Sequence, residues 1–224
     1  MSHGLNNIQA VIFDMDGTLI DSEIVSGRAV LTVLTRLGLD TAGLDLVRFH
    51  GTTWQQIELQ LKQTYPQLAE VDLKRQIADE FLILFESEPP AFLPGARLAV
   101  LAAAERFPGR VAICTGSDAE AVENLLQRED LRAAIATYVS AEMYSPSKPD
   151  PSCYLLTSER LGVDPKNILV FEDSRPGMMA AHAAGMQLIA ITAGDGSRRE
   201  WARELARPGI DDYTNLPPKF FAEL

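Results

Sequence analysis

The chain has 224 residues, 46% of them apolar and 23% charged, ordinary proportions that exclude disordered, collagen-like and low-complexity classes. At roughly 150 residues per domain this length is one core with a modest insertion. Twenty Lys and Arg against thirty-one Asp and Glu leave a net charge of −11, which repels nucleic acid and anionic lipid, so neither a nucleic-acid nor a membrane partner is expected.

Residues 1–10 lack the cationic start and apolar run of a signal peptide, and no apolar stretch of about 18 residues follows. A cytoplasmic location is expected. The first β-rich segment is residues 9–13 (QAVIF). After it, nearly a hundred residues read as helix, chiefly 22–37, 54–63 and 71–88, until Glu88-Pro89-Pro90 and Leu93-Pro94-Gly95 punctuate a return. The apolar stripe of residues 77–85 is interrupted by Asp79 and Glu80 and so reads as core of that helical stretch.

Strand and helix then alternate. Residues 110–114 (RVAIC) precede Ala121, Val122, Leu125 and Leu126 at helical spacing. Residues 137–140 (TYVS) lead to a helix opened by Asp150-Pro151 and closed by Gly162. Residues 167–171 (NILVF) lead to one capped by Ser174 and ended at Gly185, and residues 187–191 follow. Continuous rather than alternating apolar runs mark strands covered on both faces. The expected fold is α/β, a doubly wound, Rossmann-like parallel sheet core (residues 1–19 and 92–224) with an inserted α-helical cap domain (20–91) on two linkers that permit hinge motion. Cys114 and Cys153 show no zinc spacing and read as buried thiols of a reducing compartment.

Ligands of such sheets bind outside the carboxyl ends of the strands. Asp14 and Asp16 follow the first strand, Thr115-Gly116-Ser117 the second, Lys148 the third, and Glu172-Asp173-Ser174 the fourth. The four carboxylates carry −4 and Lys148 brings the mouth to −3. Alone it repels phosphate; a divalent cation and protonation of Asp16 make a phosphate dianion acceptable. Oxygen donors with room for water suit Mg²⁺, and Asp14, Asp16, Glu172 and Asp173 are its candidate ligands. Asp14 is the candidate nucleophile, forming an aspartyl-phosphate. Asp16 is the candidate general acid and base. Thr115, with the amides of Gly116 and Ser117, is placed to hold phosphoryl oxygens, and Lys148 to neutralise transition-state charge.

The segments FDMDGTLIDSE, ICTGS, SKPDP and FEDSRPGMMAAHAAGM resemble, in order and spacing, the four motifs of the haloacid dehalogenase superfamily. The helical insertion resembles the cap of its subfamily containing β-phosphoglucomutase and small sugar-phosphate phosphatases. The resemblance implies a Mg²⁺-dependent phosphatase acting on a small phosphorylated metabolite such as a sugar or polyol phosphate. Asp16 disfavours carbon–halogen and carbon–phosphorus cleavage, because the dehalogenases and phosphonoacetaldehyde hydrolases lack an aspartate there. β-Phosphoglucomutases place a histidine and an arginine where this chain has Ser26 and Trp54, which favours transfer to water. A phosphomutase, with little net phosphate release, and a catalytically silent binding protein are the competing readings. The cap loop His50, Gly51, Thr52, Thr53 and Trp54 is the expected substrate reader, although Trp54 fits cap core equally. A monomer is expected, with a weak homodimer as the alternative.

Overall fold

The computed structural model describes residues 5–49, 54–193, 195–205 and 208–224. In chain order the elements are β1 (Ala10–Phe13), α1 (Ser22–Arg36), α2 (Trp54–Thr64), α3 (Leu73–Ser87) and α4 (Ala96–Arg106). There follow β2 (Val111–Cys114), α5 (Ala119–Arg128), β3 (Thr137–Val139), α6 (Ser152–Leu161) and β4 (Ile168–Glu172). The chain ends with α7 (Arg175–Ala183), β5 (Gln187–Ile191), α8 (Gly196–Glu204) and β6 (Gly209–Ile210).

The strands form one six-stranded sheet in the order β3-β2-β1-β4-β5-β6, parallel throughout. This is the doubly wound α/β architecture expected from the sequence, with the strand order reversing between β1 and β4. Every residue of β1, β2 and β4 is buried, which explains their unbroken apolar runs. Side chains alternate between the two faces. Ala10, Ile12, Ile168 and Val170 join Cys153, Tyr154, Met178 and Ala181 in one core cluster. Phe13 and Phe171 stack on the other face at 5.1 Å, and Tyr213 and Phe221 close over Phe171 at 5.3 and 6.1 Å. Cys114 and Cys153 are buried and not disulfide-bonded. Among the described residues no helix is long and apolar enough to cross a membrane.

Local signals act where the side chains require. Asp118 caps α5 by accepting from the Ala121 amide at 2.8 Å, and Ser174 caps α7 through Gly177 at 3.1 Å. Gly162 and Gly185 take φ of 63° and 79° at the ends of α6 and α7, a conformation that favours glycine. Two elements were not foreseen: β6 has two residues, too few to show a pattern, and α8 is mostly charged.

The chain divides into two compact units, residues 1–20 with 92–224, and residues 21–91. Ile20, placed with the insertion on sequence grounds, falls in the first unit because it bridges Asp16 and Phe92. The second unit is helical, and its core comprises Ala29, Val30, Val33, Leu34, Leu61 and Ile77 among others. Phe81 and Leu84 pack against that core, whereas Leu82 and Ile83 are 56% and 58% exposed, so only part of the 77–85 stripe is core.

Candidate active site

Strand register builds the site. Phe13 pairs with Phe171, so Asp14 emerges beside Glu172, with the Asp14 amide donating to the Phe171 carbonyl at 3.0 Å. Lys148, arriving from the loop before α6, places its Nζ 2.7 Å from Asp14 Oδ1 and 2.7 Å from Glu172 Oε1. It also donates to the Cys114 carbonyl at 3.4 Å and lies 5.1 Å from the centre of the Tyr154 ring. The ends of three strands thus meet at one ammonium.

Glu172 is held from all sides. Its Oε1 also accepts from the Tyr154 hydroxyl at 3.2 Å, and its Oε2 accepts from the Ser174 amide at 2.7 Å and hydroxyl at 3.0 Å. A Cβ on Gly177 would stand 1.6 Å from Glu172 Oε1, so the first turn of α7 reaches the carboxylate only because that position is glycine. Asp173 Oδ1 accepts from Thr18 at 3.1 Å, and its Oδ2 lies 3.0 Å from Arg198 Nη2. Gly17, at φ 74°, brings the loop after β1 so close that a Cβ would meet Asp173 Oδ2 at 2.3 Å.

Asp16, half-buried, accepts from the Ser117 hydroxyl and, at 3.4 Å, from Thr115. The Ser117 amide donates to Thr115 Oγ1 at 3.0 Å, so that amide is engaged within its own loop. A Cβ added to Gly116 would meet nothing within 4 Å, which places Gly116 in open space. Trp54 starts α2 in the second unit, and its ring packs on Phe81 at 5.3 Å. Its place is in the hydrophobic packing of that unit. His50, Gly51, Thr52 and Thr53 lie outside the described residues.

Electrostatics follow from crowding in low dielectric. Burial pushes the Asp14 carboxyl well above its ordinary range; Lys148 pulls it back, while Glu172 and Asp173 push with burial. Burial alone would lower the Lys148 ammonium, yet Asp14 and Glu172 hold it well above its usual value. Lys148 is therefore a fixed cation. One oxygen each of Asp14, Glu172 and Asp173 lie within 4.8 Å of one another. Three hard carboxylates under a loop that closes only at Gly17 fit a small divalent cation better than a soft metal.

Two residues here escape sequence reasoning. Arg198 is one of several arginines on a charged helix, and nothing local marks it. Tyr213 is 5% exposed, and its hydroxyl has no hydrogen-bond partner among the described residues. Burial, then Asp14 and Asp173, raise its pKa well above the usual value. The ring closes the aromatic face beneath the site, so packing is its contribution. Tyr213→Phe is expected to change stability by less than about 0.5 kcal/mol, or to raise it, since it deletes a buried group with no partner. Urea denaturation measures this, and a loss above about 1 kcal/mol would reveal a bond to that hydroxyl.

Comparison with known proteins adds the following. A family profile described as haloacid dehalogenase-like hydrolase matches residues 8–185. Hexitol phosphatase B of Escherichia coli O157:H7 is 36% identical over 219 residues, covering 95% of this chain and 96% of that protein. The fructose-1-phosphate phosphatase of Escherichia coli K12 is 31% identical over 191 residues, covering 81% of this chain and 95% of that protein. A solved structure of a haloacid dehalogenase-like protein of unknown function from Agrobacterium tumefaciens is 25% identical, with a TM-score of 0.79 over 96% of this chain and 99% of that one.

Proposed function

Because the chain belongs to the haloacid dehalogenase-like hydrolase family, we propose that it is a Mg²⁺-dependent phosphatase of a small phosphorylated metabolite, with a hexitol or other sugar phosphate as the preferred class. A phosphoric monoester hydrolase is the enzyme class that its phosphatase relatives share over most of both lengths. The observation that carries the reading is the meeting of Asp14, Glu172 and Lys148 at 2.7 Å, with Asp173 beside them.

Lys148 occupies Oδ1 of Asp14 and leaves Oδ2 without a hydrogen bond among the described residues. Oδ2 attacks phosphorus, the phosphorus–oxygen ester bond breaks, and the leaving alkoxide takes a proton from Asp16. Asp16, now a carboxylate, then accepts a proton from the water that attacks the aspartyl-phosphate, releasing inorganic phosphate and restoring the Asp14 carboxylate and the protonated Asp16. The Ser117 and Thr115 hydroxyls that donate to Asp16 orient it for both transfers. Lys148 offsets charge growing on the transferring group. Asp14 and Asp173 would hold Mg²⁺, which when bound supplies charge neutralisation for a phosphate dianion. Glu172, already engaged by Lys148, Tyr154 and Ser174, anchors the lysine. Water is the acceptor rather than a second sugar, a reading supported by Ser26, whose hydroxyl bonds the Ser22 carbonyl in its own helix.

The test is phosphate release across hexitol phosphates, sugar phosphates and a generic aryl phosphate, with Mg²⁺ and with excess chelator. Turnover that needs Mg²⁺ and favours polyol or sugar phosphates is expected. Undiminished rates in chelator would overturn the metal assignment, and interconversion of sugar phosphates without net release would identify a mutase.

A further inference from the structure

We propose that Arg198 is a positioning residue that lowers the Mg²⁺ affinity of the site and raises its phosphate affinity; this rests on the phosphatase reading above. The Arg198 guanidinium lies 3.0 Å from Asp173 Oδ2, with the two side chains 4% and 5% exposed. This contact is built rather than incidental. The Arg198 amide donates to Asp195 Oδ1 at 3.3 Å at the start of α8. Arg199 forks onto both oxygens of Asp211 at 2.7 Å, and Arg175 meets Glu204 at 3.2 Å. Ala202, on the same helix, is 2% exposed in the core cluster. Pinned at both ends and by its apolar side, α8 delivers one arginine inward.

An arginine stays protonated at any working pH. Counting Arg198, the mouth with Asp16 ionised carries −2 rather than −3. One divalent cation brings it to zero, and protonation of Asp16 makes it positive before the phosphate dianion arrives. Without Arg198 the same steps end at neutrality. The guanidinium therefore opposes the metal, with which it shares Asp173, and favours the anion. A merely structural arginine has a different signature, since losing carboxylate placement weakens metal and metal-dependent phosphate binding together.

Calorimetric titration of the full chain with Mg²⁺, and with inorganic phosphate at saturating Mg²⁺, separates these roles. Removing one charge from a buried site acts strongly on both ions, so Arg198→Met is expected to bind Mg²⁺ about tenfold more tightly and phosphate about tenfold more weakly. Arg198→Lys, which keeps the charge, stays close to the wild type. Should the Met variant melt below the assay temperature, Arg198→Gln carries the same two expectations. Unchanged or weaker Mg²⁺ binding in the neutral variants, with the wild type binding the ion, overturns the role of Arg198 alone. A wild type that binds no Mg²⁺ overturns the phosphatase reading and this inference with it.

Discussion

Asp14→Asn is expected to remove turnover, lowering kcat by about 10⁴-fold or more, as loss of a nucleophile does elsewhere, while the melting temperature holds or rises. An amide oxygen cannot form the aspartyl-phosphate, but it can still accept from Lys148, which keeps Glu172 at 2.7 Å. Stability holds because the Asp14 carboxylate is costly where it stands. Burial first, then Glu172 and Asp173, push its pKa well above the ordinary range. A carboxyl group with a raised folded-state pKa binds its proton more tightly when folded. Wild-type stability therefore gains a contribution as pH falls from the raised value of Asp14 toward the ordinary carboxylate range, and loses it as pH climbs back. The Asn variant lacks that contribution, so its stability changes less with pH across the same window. Phosphate release from an aryl phosphate measures the first effect and paired melts across pH the second. Normal turnover in the variant would remove Asp14 as nucleophile, and a steeper pH dependence would show that its carboxylate is stabilised by folding.

What was legible in the sequence divides along physical lines. Strands covered on both faces leave continuous apolar runs, so five of the six were visible, and β5 was placed at Gln187–Ile191 to the residue. β6 escaped because two residues carry no period, and α8 because its helical face offers little beyond Trp201 and Ala202 to pack. At the site, residues that end strands were legible because the α/β topology itself gathers strand ends. Arg198 and Tyr213 do not sit at a strand end; they come from α8 and from the segment after β6, in the last fifth of the chain. Their importance comes from pairings such as Arg198 with Asp173 and Tyr213 with Phe171, which no local pattern encodes. Trp54 shows how a local pattern leaves two readings open. An aromatic residue after a glycine loop fits substrate reading and cap core equally, and its ring packs on Phe81.

Lys148→Ala is expected to cost about 3–5 kcal/mol of stability in the absence of divalent ions, the loss typical of breaking a buried ion pair from one side. The Lys148 side chain is 11% exposed and faces carboxylates that are 8% and 1% exposed, so its removal strands two like charges away from water. A surface pair supplies the scale. Lys166 lies 2.9 Å from Asp164, but the two side chains are 72% and 51% exposed, and solvent screening leaves such a pair worth about 0–1 kcal/mol. Lys166→Ala is thus the matched control. Denaturation of both variants with and without Mg²⁺ reads the outcome. Mg²⁺ should raise the melting temperature of Lys148→Ala more than that of the wild type, because a divalent cation replaces part of the lost charge between the same carboxylates. Turnover falls by roughly 10²-fold or more, as for other donors aimed at transition-state charge. Equal losses in the two lysine variants would mean that Lys148 holds neither acid, and the cluster would then lack the cation that allows Asp14 and Glu172 to stand side by side.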